Sequence, residues 1–204
     1  FTTIMRVLGE IDKEKFELIP KNENLALKKI EEQLISAIYE TIINKISYDI
    51  KEIKTSNIKD SLNAGSLGTE VYKITKKSIR EKSIYDEDFM EVDSELEKSI
   101  IDESDDKRIV VFGKLPRVNI PTAHGRNYNP DFGYVIEEGE KKELYLVVEA
   151  KGYDTFEEIG SSEKLKIKSA QAFFKALHDK GFNVQYKTKL NSLELSQLIS
   201  EIAR

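Results

Sequence analysis

Two stretches of sequence decide the fold: residues 129–136 read NPDFGYVI, and residues 144–152 read LYLVVEAKG. A short connection separates them. The first predicts a strand at 132–136. The second predicts a strand at 144–148 that is apolar on both faces, which is typical of a strand in the centre of a covered sheet. Gly139 marks a turn between them. We therefore expect the two strands to be antiparallel neighbours.

The flanking segments add further elements. A helix is expected to start near Glu95, with Asp93 or Ser94 as its N-cap and with Glu97, three residues after Ser94, as the capping-box partner. A second helix at 163–177 is expected to end at Gly181. The remaining predicted elements are strands at 109–112 and 184–187 and a final helix at 193–202. This order predicts an α/β (α+β) domain with a small mixed central sheet flanked by helices.

The first ninety residues follow a different pattern. Residues 24–47 carry an apolar stripe at three- and four-residue steps, which predicts a long helix. Residues 48–57 alternate and suggest an exposed strand, and residues 63–68 resemble a loop. We therefore divide the chain into a mainly helical accessory or connecting region at 1–90 and a second domain at 91–204.

Composition limits the functions that this chain can carry. No apolar run is long enough to cross a membrane, and no GxxxxGK[ST] phosphate loop is present, so an ATPase motor is not encoded here. Cysteine is absent, which fits a reducing cytoplasm and excludes thiolate metal sites. The net charge is −5, but residues 161–190 hold seven lysines against Glu163 and Asp179. An acidic site beside a basic segment suits a phosphodiester substrate.

The polar residues at the strand ends suggest a metal site. Glu149 and Lys151 lie two apart on a strand, so they share a face, and antiparallel pairing would bring Asp131 beside Glu149. Two close carboxylates favour a cation between them, and oxygen ligands favour magnesium or manganese. Such an ion polarises a phosphate and activates water, while a lysine neutralises charge that develops on the phosphate. Acid-x-Lys triplets occur elsewhere in the chain, but only Glu149–Lys151 follows a continuous apolar run.

Four segments then resemble a known family: Lys114-Leu115-Pro116, Ile120-Pro121-Thr122, Tyr128-Asn129-Pro130-Asp131 and Val148-Glu149-Ala150-Lys151-Gly152. Together they are similar to the carboxyl-terminal nuclease domain of the restriction (Res) subunit of type III restriction-modification enzymes. That domain is a branch of the PD-(D/E)xK nucleases. The sequence departs from the family pattern at Ala123, near Arg126-Asn127 and at Phe132, all close to the loop before Asp131.

The resemblance implies a restriction-endonuclease-like core and a set of site residues. Asp131, Glu149 and the Ala150 backbone carbonyl would bind Mg²⁺, for which Mn²⁺ would substitute, and Lys151 would be the catalytic lysine. Glu97 would be a helix acid near the metal, although a plain capping role is an open alternative. The DNA-contact candidates, each of which also fits a plain surface residue, are Arg126, Lys164, Lys166 and Lys168. Of these, Lys166 would lie near the DNA or support the site.

The resemblance also implies partners. The substrate would be double-stranded DNA in a prokaryotic cytoplasm. A motor domain of the same subunit and a methyltransferase or specificity subunit would lie outside this chain, and ATP would be needed only by the full-length enzyme. Two alternatives stay open: an inactive nuclease-like module that binds DNA or docks other subunits, and an interaction scaffold built on helix 24–47.

Overall fold

Four strands form the central sheet of the computed structural model, which describes residue 14 and residues 18–51, 70–85, 88–115, 119–123, 125–138 and 142–202. These strands are β3 (Ile109–Lys114), β6 (Phe132–Glu138), β7 (Lys142–Lys151) and β8 (Val184–Leu190), in the spatial order β3-β6-β7-β8. Strand β6 is antiparallel to both β3 and β7, and β8 runs parallel to β7. The predicted mixed sheet is therefore confirmed.

Helices cover both faces of this sheet, which explains why β7 is apolar on both sides. On one face, Leu146 and Val148 are buried in a cluster with residues of α4 (Glu95–Glu103) and α6 (Leu195–Ile202). On the other face, Val147 is buried against residues of α5 (Ser161–Asp179). Because parallel strands need a crossover connection, α5 links β7 to β8. The predicted α/β class follows from this arrangement and is confirmed.

Helix α5 ends as its sequence predicts. Gly181 has a φ of 94°, in the left-handed region that glycine adopts without a Cβ clash. Its N–H donates to the His178 carbonyl at 2.9 Å, and the Phe182 N–H donates to the Leu177 carbonyl at 3.2 Å. These two bonds form a Schellman motif, which satisfies carbonyls that the end of the helix would otherwise leave without partners.

Smaller elements surround the sheet. Strands β1 (Glu70–Lys73) and β2 (Phe89–Val92) pair with each other, as do β4 (Ile120–Pro121) and β5 (Asn127–Tyr128). Helices α1 (Leu18–Lys21) and α2 (Glu23–Ile42) precede them, and the short helix α3 (Lys77–Arg80) lies between β1 and β2. Ile74, Ile79 and Met90 are buried in the same cluster as Ile100 and Leu146. The division of the chain at residue 90 stays a prediction.

The predicted helix at 24–47 is too long at its carboxyl end. Helix α2 ends at Ile42, a turn covers residues 43–45, and residues 46–51 have no regular structure. Tyr48 explains the stop, because its hydroxyl donates to the Pro121 carbonyl and its ring packs edge-on against Phe173 at 5.5 Å. A continued helix would carry Tyr48 away from both partners.

Several other predictions concern segments that lie partly or wholly outside the described residues. The strand predicted at 48–57 does not form over residues 48–51, and its remaining residues lie outside the described part. The loop predicted at 63–68 and the turn at Gly139 lie outside it as well. Among the described residues, no helix is both long and apolar enough to cross a membrane.

Candidate active site

Asp131 lies where the end of β7 meets the start of β6. Antiparallel pairing places Phe132 opposite Val148, so Asp131 falls beside the residues that end β7. Its carboxylate Oδ2 accepts a hydrogen bond from the Ala150 N–H at 2.7 Å, and its carbonyl accepts one from the Leu115 N–H at 2.7 Å. These two bonds hold the Asn-Pro-Asp turn to both neighbouring strands.

Glu149 and Lys151 project from one face of β7. Glu149 is only 3% exposed, and its Oε1 lies 2.6 Å from the Lys151 ammonium nitrogen. Its other oxygen, Oε2, is buried and accepts no hydrogen bond of standard geometry within the part of the chain that the structure describes. The Tyr128 hydroxyl lies near enough to act on Glu149, but without a donor of standard geometry a buried carboxylate oxygen is costly unless a cation satisfies it.

Burial and neighbouring charges shift the ionisation of both carboxyl groups. Burial raises the pKa of Asp131 to about 8, and the nearby charge of Glu149 adds to the effect. Burial also raises the pKa of Glu149, while the Lys151 ammonium opposes that shift. Burial alone would lower the pKa of Lys151, but the Glu149 and Glu163 carboxylates raise it above its ordinary value. The single Lys151 ammonium therefore faces two carboxylates, those of Glu149 and Glu163.

These groups suit a hard divalent ion. Carboxylate oxygens are the ligands that magnesium and manganese prefer, and the buried Oε2 of Glu149 is available to such an ion. No group of three or more His, Cys, Asp or Glu side chains that could hold an ion occurs among the described residues. A centre here would therefore need oxygen from the Ala150 carbonyl, water or substrate besides Asp131 and Glu149. The ligand roles of these residues stay predictions.

Glu97 reaches the edge of this site from α4. Ser94 caps the helix as predicted, since its hydroxyl accepts from the Glu97 N–H at 3.2 Å. The capping-box prediction is wrong in one respect, because the Glu97 carboxylate accepts from the Asp93 N–H at 2.8 Å instead of the Ser94 N–H. The same oxygen pairs with the buried Lys114 ammonium at 2.8 Å. Because Lys114 belongs to β3, the geometry of the helix alone does not predict this contact. The metal role of Glu97 stays a prediction.

Glu163 is a site residue that the sequence analysis did not identify. It lies in the first turn of α5, where its Oε2 accepts from the Lys151 ammonium at 2.7 Å and its Oε1 pairs with Lys166. The sequence holds a signal for it: Glu163-x-x-Lys166 has the i, i+3 spacing that makes two helical residues neighbours. The loop before α5 has no periodic pattern, so nothing in the sequence placed that pair against Lys151.

Two tyrosines form a second layer near Glu149. The hydroxyls of Tyr128 and Tyr186 lie 2.7 Å apart and are buried. Burial raises the pKa of both, and the charge of Glu149 adds to this rise, so both hydroxyls stay protonated. Tyr128 directly precedes the Asn-Pro-Asp turn. The pair therefore ties that turn to β8.

The predicted DNA-contact residues occupy different surroundings. Arg126 is 65% exposed and pairs with Glu31 at 3.0 Å. Lys164 and Lys168 both lie over the Phe156 ring, 5.7 Å from its centroid. Lys166 faces the site through Glu163. Their predicted contacts with DNA stay predictions.

Comparisons with known proteins agree with the geometry. A family model described as an endonuclease domain matches residues 81–193, more than half of the chain. The Res subunit of the type III restriction-modification enzyme EcoPI of Escherichia phage P1 is 33% identical over 162 residues, which cover 76% of this chain and 16% of that protein. The EcoP15I Res subunit of Escherichia coli is 36% identical over 109 residues, 52% of this chain and 11% of that protein.

A third relative, the StyLTI Res subunit of Salmonella typhimurium, is 32% identical over 82 residues, 39% of this chain and 8% of that protein. The chain thus spans less than a fifth of the length of each of these three relatives. No solved structure gives a significant match. The resemblance found in the sequence is confirmed: the chain belongs to the endonuclease-domain family and is related to the Res subunits of type III restriction-modification enzymes.

Proposed function

We propose that this chain is a Mg²⁺-dependent endonuclease module that hydrolyses phosphodiester bonds of double-stranded DNA through a PD-(D/E)xK site. The observation that carries the proposal is the convergence of a buried carboxyl group, a half-buried carboxyl group and an ammonium group at the end of β7. Asp131 bonds the N–H of Ala150, and Glu149 lies 2.6 Å from Lys151. The family match and the names of the relatives support the same activity.

Each group has a separate task in this proposal. Asp131, Glu149 and the Ala150 carbonyl would hold the ion. When bound, it would supply a Lewis acid that polarises a phosphate oxygen and acidifies a water molecule. Lys151 would donate hydrogen bonds to the phosphate and stabilise the negative charge that grows in the transition state. Although burial opposes the shift, the Glu149 and Glu163 carboxylates raise the pKa of Lys151 in the metal-free chain. This favours a role as a cation over a role as the base that takes the proton of the attacking water.

The names of the relatives support a role for this activity within a larger assembly. As the cleavage module of a type III restriction enzyme in a prokaryotic cytoplasm, the chain would work with a motor domain of the same subunit. A methyltransferase or specificity subunit would recognise the DNA sequence. ATP would be required by the full-length enzyme and not by this part of it.

Cleavage assays on site variants test the proposal. With magnesium present, we expect Asp131→Ala and Lys151→Ala to lose at least about 10²-fold in cleavage rate, since each removes a group that acts in the transition state. Lys175→Ala is the matched control, because Lys175 is exposed on α5 and pairs only with the exposed Asp179 in the described contacts. Cleavage by both site variants at the wild-type rate would refute the assignment.

Metal binding separates this proposal from the non-catalytic alternative. Calorimetry with Mn²⁺ should show uptake by the wild-type chain and none by Asp131→Ala. A chain that binds DNA without taking up Mn²⁺ and without cutting would be the inactive nuclease-like module instead.

A further inference from the structure

Four charged side chains form an alternating chain that runs from β7 to α5. Glu149 pairs with Lys151 at 2.6 Å, Lys151 pairs with Glu163 at 2.7 Å, and Glu163 pairs in turn with Lys166. The four side chains are 4%, 17%, 29% and 26% exposed, in that order. Each pair is therefore shielded from solvent more than an ordinary surface ion pair. Its electrostatic attraction is screened less and stabilises the arrangement more.

Backbone geometry makes the arrangement specific. Glu149 and Lys151 share a face because they lie two apart on a strand, and Glu163 and Lys166 are neighbours because they lie three apart on a helix. The start of α5 lies beside the end of β7, so the two pairs join through Lys151 and Glu163. Lys151 thus receives one carboxylate from its own strand and one from the following helix.

These two carboxylates would behave differently during the reaction. Glu149 is a proposed metal ligand, so its charge would be shared with the ion. Glu163 pairs with two lysines and is not a proposed metal ligand. An ammonium carries three hydrogens, and pairing with two carboxylates leaves one for a phosphate oxygen. Glu163 is therefore the group that can hold Lys151 while Glu149 serves the metal.

We propose that Glu163 is a positioning residue: it holds the Lys151 ammonium against the site, and Lys166 fixes Glu163 in turn. This inference rests on the proposed nuclease function. It also gives Lys166 a supporting role beside Glu163, which is one of the two roles that the resemblance left open for this residue.

Single-turnover cleavage at saturating DNA tests the catalytic consequence. We expect Glu163→Ala to lower the rate by about 10–100-fold, the usual effect of losing a residue that orients a metal-site group. Glu163→Gln, which keeps the size and one acceptor oxygen, should lose less, and DNA affinity should not change in either variant. Asp179→Asn is the control, since it removes a carboxylate–lysine pair at the exposed end of the same helix. A Glu163→Ala rate within twofold of wild type would overturn the proposal.

A second readout does not depend on cleavage. NMR of protein with isotope-labelled lysine nitrogens reports proton exchange at the Lys151 ammonium, and Lys151→Arg identifies its signal. We expect exchange to be several-fold faster in Glu163→Gln than in wild type or Asp179→Asn. Unchanged exchange would overturn the positioning role even if DNA is cut. Faster exchange in Glu163→Gln, together with a wild-type chain that never cuts DNA, would support the positioning role and refute the nuclease function.

Discussion

Asp131 shows how burial at one residue makes stability depend on pH. Its pKa is about 8 in the folded chain without metal, against about 3.9 in an unfolded chain. Between these values the folded state binds one more proton than the unfolded state at this group. The stabilisation is therefore complete below about pH 4 and is lost as the pH rises towards 8.

Comparison with Asp131→Asn isolates this effect, because the asparagine carbonyl can still accept from the Ala150 N–H. With a chelator present to remove metal ions, we compare the free energies of unfolding of Asp131→Asn and wild type. As the pH rises from 5 to 7, the variant should become more stable relative to wild type by up to about 1.4 kcal/mol per pH unit. Urea denaturation at each pH measures the difference. A difference that stays constant over this range would contradict the raised pKa.

Lys114 and Glu97 form a buried ion pair, with side chains only 6% and 7% exposed. Removal of one member leaves the other charge buried without its partner, which costs more than the pair itself contributes. We expect Lys114→Met to lower the free energy of unfolding by about 3–5 kcal/mol. The double variant Lys114→Met with Glu97→Leu should recover most of this loss. A double variant as unstable as the sum of the two single variants would show that the pair is not coupled.

Among the elements, the sheet strands could be predicted because burial on both faces leaves a clear mark in the sequence. Residues 144–148 form a continuous apolar run since helices cover both sides of β7. The end of α2 could not be predicted in this way. Ile46 continues the apolar stripe, yet Tyr48 packs against Phe173, a residue distant in the sequence. A tertiary contact overrode the local pattern there.

The same contrast separates the site residues. Strand periodicity and antiparallel pairing place Asp131, Glu149 and Lys151 together, and both can be deduced from the sequence. Glu163 enters the site from α5, whose approach to β7 depends on packing and on a loop without a pattern. Local spacing predicted which residues share a face of one element, but it did not predict which elements meet.

The end of α5 depends on a single backbone conformation. Gly181 has a φ of 94°, and a Cβ built there meets nothing within 4 Å. Any loss in Gly181→Ala therefore reports the backbone alone, and we expect about 1–2 kcal/mol of destabilisation in thermal or urea unfolding. Gly152→Ala is the control, because its Cβ also meets nothing within 4 Å and its φ lies outside the left-handed region. Equal losses in the two variants would argue against the Schellman end.

Across the whole molecule, charge is distributed unevenly. The net charge is −5, yet residues 161–190 carry an excess of lysine. The pairs in that segment use part of this excess, since Lys166 is bound to Glu163 and Lys175 to Asp179. Among the described lysines of α5, Lys164 and Lys168 form no ion pair with a carboxylate and lie over the Phe156 ring. They stay the predicted contacts for a phosphate backbone.

The extent of the folding unit is the property that the sequence left most open. Ile74, Ile79 and Met90 precede the predicted boundary at residue 90, and they are at most 3% exposed within the main core. Full burial of such side chains contributes about 1.5–3 kcal/mol each, so the three together approach the 5–15 kcal/mol that is typical of a whole domain. We therefore expect a fragment of residues 70–204 to unfold cooperatively in urea and a fragment of residues 91–204 to show no such transition. A cooperative transition of equal midpoint in the shorter fragment would establish residue 90 as the boundary instead.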